Sequence, residues 1–411
     1  MTPNDFAQLT TAHLRNRGMT KAIHFDPKRF CVVVEGDAGM WRFCFLHHAF
    51  NEYNAAPPHE QDKVLARRFW TLLDKSAAPP KEEVLKGVLP RIREPTYHAV
   101  LERQLAAQVD DVSEREVLRV PHRSLNDELE VNVVFDLPTS AMDVTVSRLT
   151  TWGITLAEIE AVALSNLRAR SKEPFREVAT GLWAAPWGDG HDASRMLLDE
   201  LFTGLKVTGE QVLMIPAATV LMIAGADDDH ALGLMAEVAK DAVQDPRSIT
   251  GVAFRRTPEG WRAWLPPATS TAYDKLYFLA LQSRANGYTQ QKELLDAWHE
   301  YTGEQQFVAR FSAFRTDAGE IYTCTPWTEG VEGLLPRTDR IDFVRLVNQD
   351  KGEPNAKVWP AKFEIALEVV GRLMKRTADK PERWKTTGFP TDGELDDMTK
   401  RSGLEHHEVA G

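Results

Sequence analysis

Cysteine is scarce in this chain: Cys31, Cys44 and Cys324 are the three in 411 residues. An odd, widely spaced set excludes a disulfide-stapled secreted domain and suits a reducing compartment, so a cytoplasmic location is expected. Long apolar runs are lacking too. The longest, Val212 to Ala224, is too short for a bilayer and contains Pro216, so no membrane association is expected. The opening MTPNDFAQLTTAHLRNRG has no basic cap ahead of an apolar core and reads as an amphipathic helix rather than an export signal. Positive charge is in deficit, with 49 Lys and Arg against 60 Asp and Glu and a net charge of −11, which disfavours nucleic acid as a partner.

Signature motifs are absent as well. There is no GxxxxGK(S/T) phosphate loop, no GxGxxG after a strand, no HExxH, no GxSxG elbow and no paired CxxC. No cofactor and no metal site is expected on this basis. Cys44, His47 and His48 come nearest to a ligand set, but on one strand residues 44 and 48 share a face that 47 does not.

What is present is ordinary globular material, 43% hydrophobic and 27% charged, in a chain long enough for more than one core. Residues 4 to 17 read as a helix. The runs Phe30 to Val34 and Met40 to Phe50 read as a hairpin across Gly36-Asp37-Ala38-Gly39, and Val64, Leu65, Phe69, Leu72 and Leu73 mark a further helix. Glu128 to Leu137 alternates in the manner of a strand with one buried face. Thr155 to Glu158 is a capping box, with Leu156, Ile159, Ala163 and Leu167 on one face of its helix.

A helix is expected from Asp192 or Ser194 to Gly204, then strands Val212 to Ile215 and Val220 to Ala224, a helix from Asp228, and a hairpin of Ile249 to Arg256 with Trp261 to Leu265. Beyond Pro266-Pro267 come helices over Tyr273 to Arg284 and Gln290 to Tyr301. Strands Phe307 to Phe314, Glu320 to Trp327 and Ile341 to Val347 follow, and a helix through Phe363. The last twenty residues read as frayed.

The fold class is therefore α+β, with mixed or antiparallel sheets, recurring helix-strand-strand-helix units and an extra C-terminal α+β region. The expected divisions are 1–80, 81–268 and 269–395, with a flexible tail over 396–411.

The most unusual segment runs from Trp187 to Arg195. Its Gly-Asp-Gly turn brings Asp189, His191, Asp192 and Ser194 together, which suits a general base or a cation, while the same residues suit a helix cap with Arg195 bridging to a carboxylate. Asp227-Asp228-Asp229-His230 reads as a helix start complementing the dipole. Cys324 in a strand reads as a packed thiol. Among the aromatics, Trp187 and Trp327 are the candidates for a partner-binding surface.

Trp152 with the helix ending Asn166-Leu167, then Asp189 to Arg195, Ile215-Pro216 with Val220 to Ile223, and Ile249 to Arg256 stand in an order that resembles the YtpQ-like family of uncharacterised bacterial proteins, over residues 1 to about 268. The resemblance implies a domain of unknown function, with no catalytic residue to carry over. This chain departs from the pattern at Thr219, where an aspartate would stand.

The function expected from these readings is that of a non-enzymatic protein-interaction factor: an adaptor, chaperone or immunity-like protein whose partner is another protein. The alternative is a hydrolase, with or without a divalent cation, using Asp189, His191 and Asp192.

Overall fold

Val212 to Ala224 is apolar at nearly every position because the two strands it forms are buried on both sides. In the computed structural model, which describes residues 1–27, 30–35, 41–73, 81–108, 112–136, 141–244, 248–304, 306–316, 321–347 and 355–410, Gln211–Ala217 and Val220–Gly225 pair antiparallel. Leu213, Ile215, Leu221 and Ile223 enter one core with Phe202, Phe254 and Trp261. Val212, Met214, Met222 and Ala224 face another, made with Leu232, Met235 and Ala239. Pro216, which has no N–H to donate, lies where the register shifts between Met214 and Ala217.

The chain divides into two compact units, residues 1–91 with 132–172, and residues 92–131 with 173–411. In the first, helix Pro3–Asn16 opens on a capping box of Thr2 and Asp5. Strands Cys31–Glu35 and Trp41–Phe45 pair as the expected hairpin, and Ile23–Asp26 adds to its edge; the turn itself lies outside the described residues. The run Met40 to Phe50 is not one strand. It ends at Phe45, and helix His47–Ala55 follows, because Leu46, Ala49 and Tyr53 are buried at helical spacing. His47 and His48 thus open a helix while Cys44 stays in the strand, so the three do not share one element.

Helix Pro58–Leu73 buries Val64, Leu65 and Phe69 against the same core. Further along this unit, helix Leu156–Ala169 starts at the Thr155–Glu158 box. Asn166 Nδ2 donates to the carbonyls of Leu85 at 2.8 Å and Val88 at 3.0 Å.

In the second unit, six strands among the described residues run in the order Gly260–Trp264, Ala253–Thr257, Gln211–Ala217, Val220–Gly225, Leu182–Ala184, Arg176–Ala179. Helix Asp229–Ala242 is capped by Asp228, which accepts from the Ala231 N–H at 3.0 Å. The helix expected over 192–204 is instead two 3₁₀ turns, Ala193–Leu197 and Asp199–Phe202. The two helices expected over 273–301 are one, Tyr273–Thr302, running through Gly287 and ending at Gly303 with φ 75°.

A glycine inside a helix costs about 1 kcal/mol relative to alanine, and here tertiary bonds around it offset that cost. The wholly buried Arg383 donates to Gln291 Oε1 at 2.5 Å and to the carbonyls of Ala309 and Leu334 at 2.9 Å. Tyr288 Oη donates to the Glu382 carbonyl at 3.0 Å.

The C-terminal region of this unit carries a sheet ordered Ser312–Arg315, Ile321–Thr328, Arg340–Val347, Asn355–Lys362, His407–Ala410, in which the second and third strands are parallel. The last twenty residues are not simply frayed. Helix Asp392–Ser402 opens on a Thr391–Glu394 capping box and buries Leu395 and Met398 with Trp327, Phe343 and Trp359. His407–Ala410 then pairs with Asn355–Val358. The protein is thus α+β with antiparallel and mixed sheets, and among its described residues no helix is long and apolar enough to cross a membrane.

Candidate functional site

Parts of two helices and three adjacent strands of one sheet leave a cleft of about 870 Å³ in the second unit. Helix Asp229–Ala242 buries Met235 and Ala239 and so turns Glu237 and Lys240 outward. The first two turns of Tyr273–Thr302 bury Leu276 and Leu279, which sets Tyr273, Tyr277 and Phe278 on its open side. Strands Ser312–Arg315, Ile321–Thr328 and Arg340–Val347 contribute Arg315, Tyr322 and Arg340.

Four aromatic rings, Tyr273, Tyr277, Phe278 and Tyr322, line this cleft. Tyr273 and Tyr277 stack with centroids 5.7 Å apart, one helical turn from each other. Tyr322 stacks on Phe314 at 5.8 Å, and the Arg340 guanidinium lies 3.9 Å from the Tyr322 ring centre. Burial pushes the Tyr277 hydroxyl pKa upward, with the charge of Asp339 acting in the same direction, so this phenol stays a neutral hydrogen-bonding group.

Four cationic side chains and two anionic ones line the cleft, in a chain whose net charge is −11. Glu237 is engaged by Lys275 at 2.8 Å. Phe278 and Phe314 are about half exposed, at 51% and 50%. What such a site can do is hold an anionic ligand with apolar parts.

Asp189, His191 and Asp192 do lie together, in an arrangement organised around Arg195. The Asp189 carboxylate accepts from Arg195 Nη1 at 2.8 Å and Nη2 at 2.9 Å, and from the His191 N–H at 3.0 Å. Arg195 is wholly buried and stacks on Trp187 at 4.2 Å. Burial raises the Asp189 pKa, but the bonds from Arg195 and the His191 backbone outweigh it and the net shift is downward. Asp192 accepts from the Gly188 N–H at 2.9 Å and makes no side-chain bond to the 3₁₀ turn that follows. Burial, with the Asp189 charge beside it, pushes its carboxyl pKa upward. With both of its oxygens on one guanidinium, Asp189 acts as a counter-ion to a buried charge.

Of the aromatic candidates, Trp187 is half-buried under Arg195 and edge-on to Phe175. Trp327 is 1% exposed and packs against Phe343 in the C-terminal core. Cys324 is also buried, and its thiol is pushed up to about 12 by burial and by the neighbouring Asp342.

Sequence reasoning missed the cleft because its residues come from separate segments between Ala236 and Arg340, each bland by itself. A partial signal was available in Tyr273, Tyr277 and Phe278, aromatic residues on the polar side of a helix whose Leu276 and Leu279 mark the buried side. It also missed His98, His122 and Glu130, which among the described residues are the group able to hold a metal. Their spacings match no ligand motif. Glu130 was read as the solvent side of an alternating strand, whereas every residue from Leu129 to Phe135 is buried.

Compared with protein-family models, with curated proteins and with solved structures, the chain matches none.

Proposed function

We propose that this protein is a non-catalytic interaction factor, of the adaptor, chaperone or immunity-like kind, which holds an acidic segment of a partner protein in the Tyr273–Tyr322 cleft. The observation that supports this reading is the lining itself: stacked tyrosines, two arginines and flanking half-exposed phenylalanines. Tyrosine and arginine are the side chains that carry most binding energy at protein interfaces. Exposed apolar rings at the margin suit a partner that continues past the cleft better than a small molecule enclosed within it. The surplus of positive charge favours aspartate and glutamate in the bound segment and raises the rate of encounter at low salt.

Peptide display against the immobilised full-length protein tests the reading. Selected sequences should be enriched in acidic residues next to an aromatic or aliphatic one, and the enrichment should vanish with the Arg315→Glu/Arg340→Glu variant. Selection of sequences with no acidic bias, or selection that the double variant leaves unchanged, would overturn it.

A further inference from the structure

Two imidazoles and a carboxylate meet inside the second unit, remote in sequence and outside the cleft. His98 lies in the first turn of helix Pro95–Gln108, His122 opens strand His122–Asn126, and Glu130 is in strand Leu129–Asp136. The side chains of His98 and Glu130 are each 2% exposed, while that of His122 is 21% exposed. Burying a carboxylate is costly unless its charge is answered, and here His98 and Lys380 answer it.

The His122 ring is oriented as a ligand would be. His122 Nδ1 lies 3.1 Å from the Val120 carbonyl oxygen. A carbonyl only accepts, so Nδ1 carries a proton, and Nε2 is the nitrogen left facing Glu130. A backbone carbonyl fixing the far nitrogen is the usual support of a metal-bound histidine. His122 Nε2 is 3.6 Å from Glu130 Oε2, beyond hydrogen-bond range, and His98 Nδ1 is 2.8 Å from the same oxygen, a hydrogen bond that a metal ion between them would replace. The two rings are parallel, 4.0 Å between centroids with a 6° interplanar angle.

All three donor atoms lie within 4.8 Å of one another. Tetrahedral zinc, with bonds of about 2.0–2.2 Å, places its ligand atoms roughly 3.4 Å apart. The His122–Glu130 separation, 3.6 Å, is within about 0.2 Å of that value, and the His98–Glu130 separation, 2.8 Å, falls short of it by about 0.6 Å. The support around the ligands is in place. Lys380 Nζ holds the other Glu130 oxygen, Oε1, at 2.7 Å, leaving Oε2 to the imidazoles. Arg103, on the same helix as His98, pairs at 2.5 Å with Asp379, the residue before Lys380.

We infer that His98, His122 and Glu130 form a binding site for a divalent transition-metal ion of the zinc class, with the fourth position open on the side of His122. Two nitrogens and one oxygen suit zinc or cobalt rather than calcium or magnesium, which take oxygen donors.

The test titrates Zn²⁺ into the chelator-treated full-length protein by calorimetry and records the visible spectrum of the Co²⁺ form. One equivalent per chain and the intense visible bands of four-coordinate Co²⁺ are expected. Outer partners of a metal site cost about 10–100-fold in affinity when removed, so His122→Ala, which deletes a ligand at a partly open position, should weaken binding by more than about 100-fold. His230→Ala, at the exposed acidic turn, should leave binding unchanged. Absence of binding, a His122→Ala variant that binds like the parent, or a loss seen with His230→Ala instead would each overturn the inference. Circular dichroism and thermal melting of each variant without metal exclude misfolding, and a second ligand variant, Glu130→Gln, gives an independent reading.

Discussion

Replacing Asp189 by alanine isolates the question of whether its segment is scaffold or chemistry. Arg195 has no exposed side-chain surface, and both of its terminal nitrogens donate to Asp189. Removing one partner of a buried ion pair costs about 3–5 kcal/mol, because a charge is left in a medium that solvates it poorly. Here the Asp189 side chain is 31% exposed, so water can enter the vacated position and the loss should fall to about 2–4 kcal/mol. The Trp187 ring continues to face the guanidinium.

The double variant Asp189→Ala/Arg195→Met removes the stranded charge and should recover part of the loss. The sign with pH follows from the lowered pKa of Asp189. Its contribution is fully present above the ordinary aspartate value of about 4 and is lost as pH falls through the lower folded value, so parent and variant should converge in acid. Urea unfolding at neutral and acidic pH measures the difference, and amide exchange at Met196 and Leu198 localises it. A neutral-pH loss under about 0.5 kcal/mol, the range of an ordinary surface substitution, would refute the reasoning and release Asp189 for a chemical role.

Two further predictions concern backbone and thiol. A Cβ on Gly225 would lie 2.1 Å from the Thr208 carbonyl oxygen, whereas one on Gly233 meets nothing within 4 Å. Gly225→Ala should therefore destabilise by about 1–3 kcal/mol or more, and Gly233→Ala, inside a helix, should stabilise by about 0.4–1 kcal/mol. Thermal unfolding of the two variants should move in opposite directions, and a shared direction would contradict the packing at one of these sites. With its thiol pushed up to about 12, Cys324 should resist iodoacetamide at pH 8 in the native protein and react once unfolded, as mass spectrometry of the alkylated peptide would show; rapid native labelling would mean that the thiol is neither buried nor protonated.

Where a physical rule acts within a few residues, the sequence was legible. The Thr155–Glu158 capping box, the Asp228 cap and the hairpin of Cys31–Glu35 with Trp41–Phe45 all follow from hydrogen-bonding side chains or apolar alternation that neighbouring residues carry. The α+β class followed from the same signals added along the chain.

Errors arose where distant residues changed the local balance. The stretch between Arg284 and Gln290 reads as a break between two helices, yet Arg383, almost a hundred positions away, binds Gln291 and the Tyr288 carbonyl and keeps the helix continuous. The tail looks too polar to fold, yet Leu395 and Met398 find a core prepared by Trp327, Phe343 and Trp359. Glu130 looks like the wet face of a strand, yet His98 and Lys380 enclose it.

Composition and periodicity determined the class of fold, the caps and the hairpins, because those depend on which groups a residue offers to its near neighbours. Tertiary structure alone decided which polar residues are buried together, and so where the aromatic cleft and the His98–His122–Glu130 cluster lie. The cost of burying charge is recovered only through partners that the chain brings in from elsewhere.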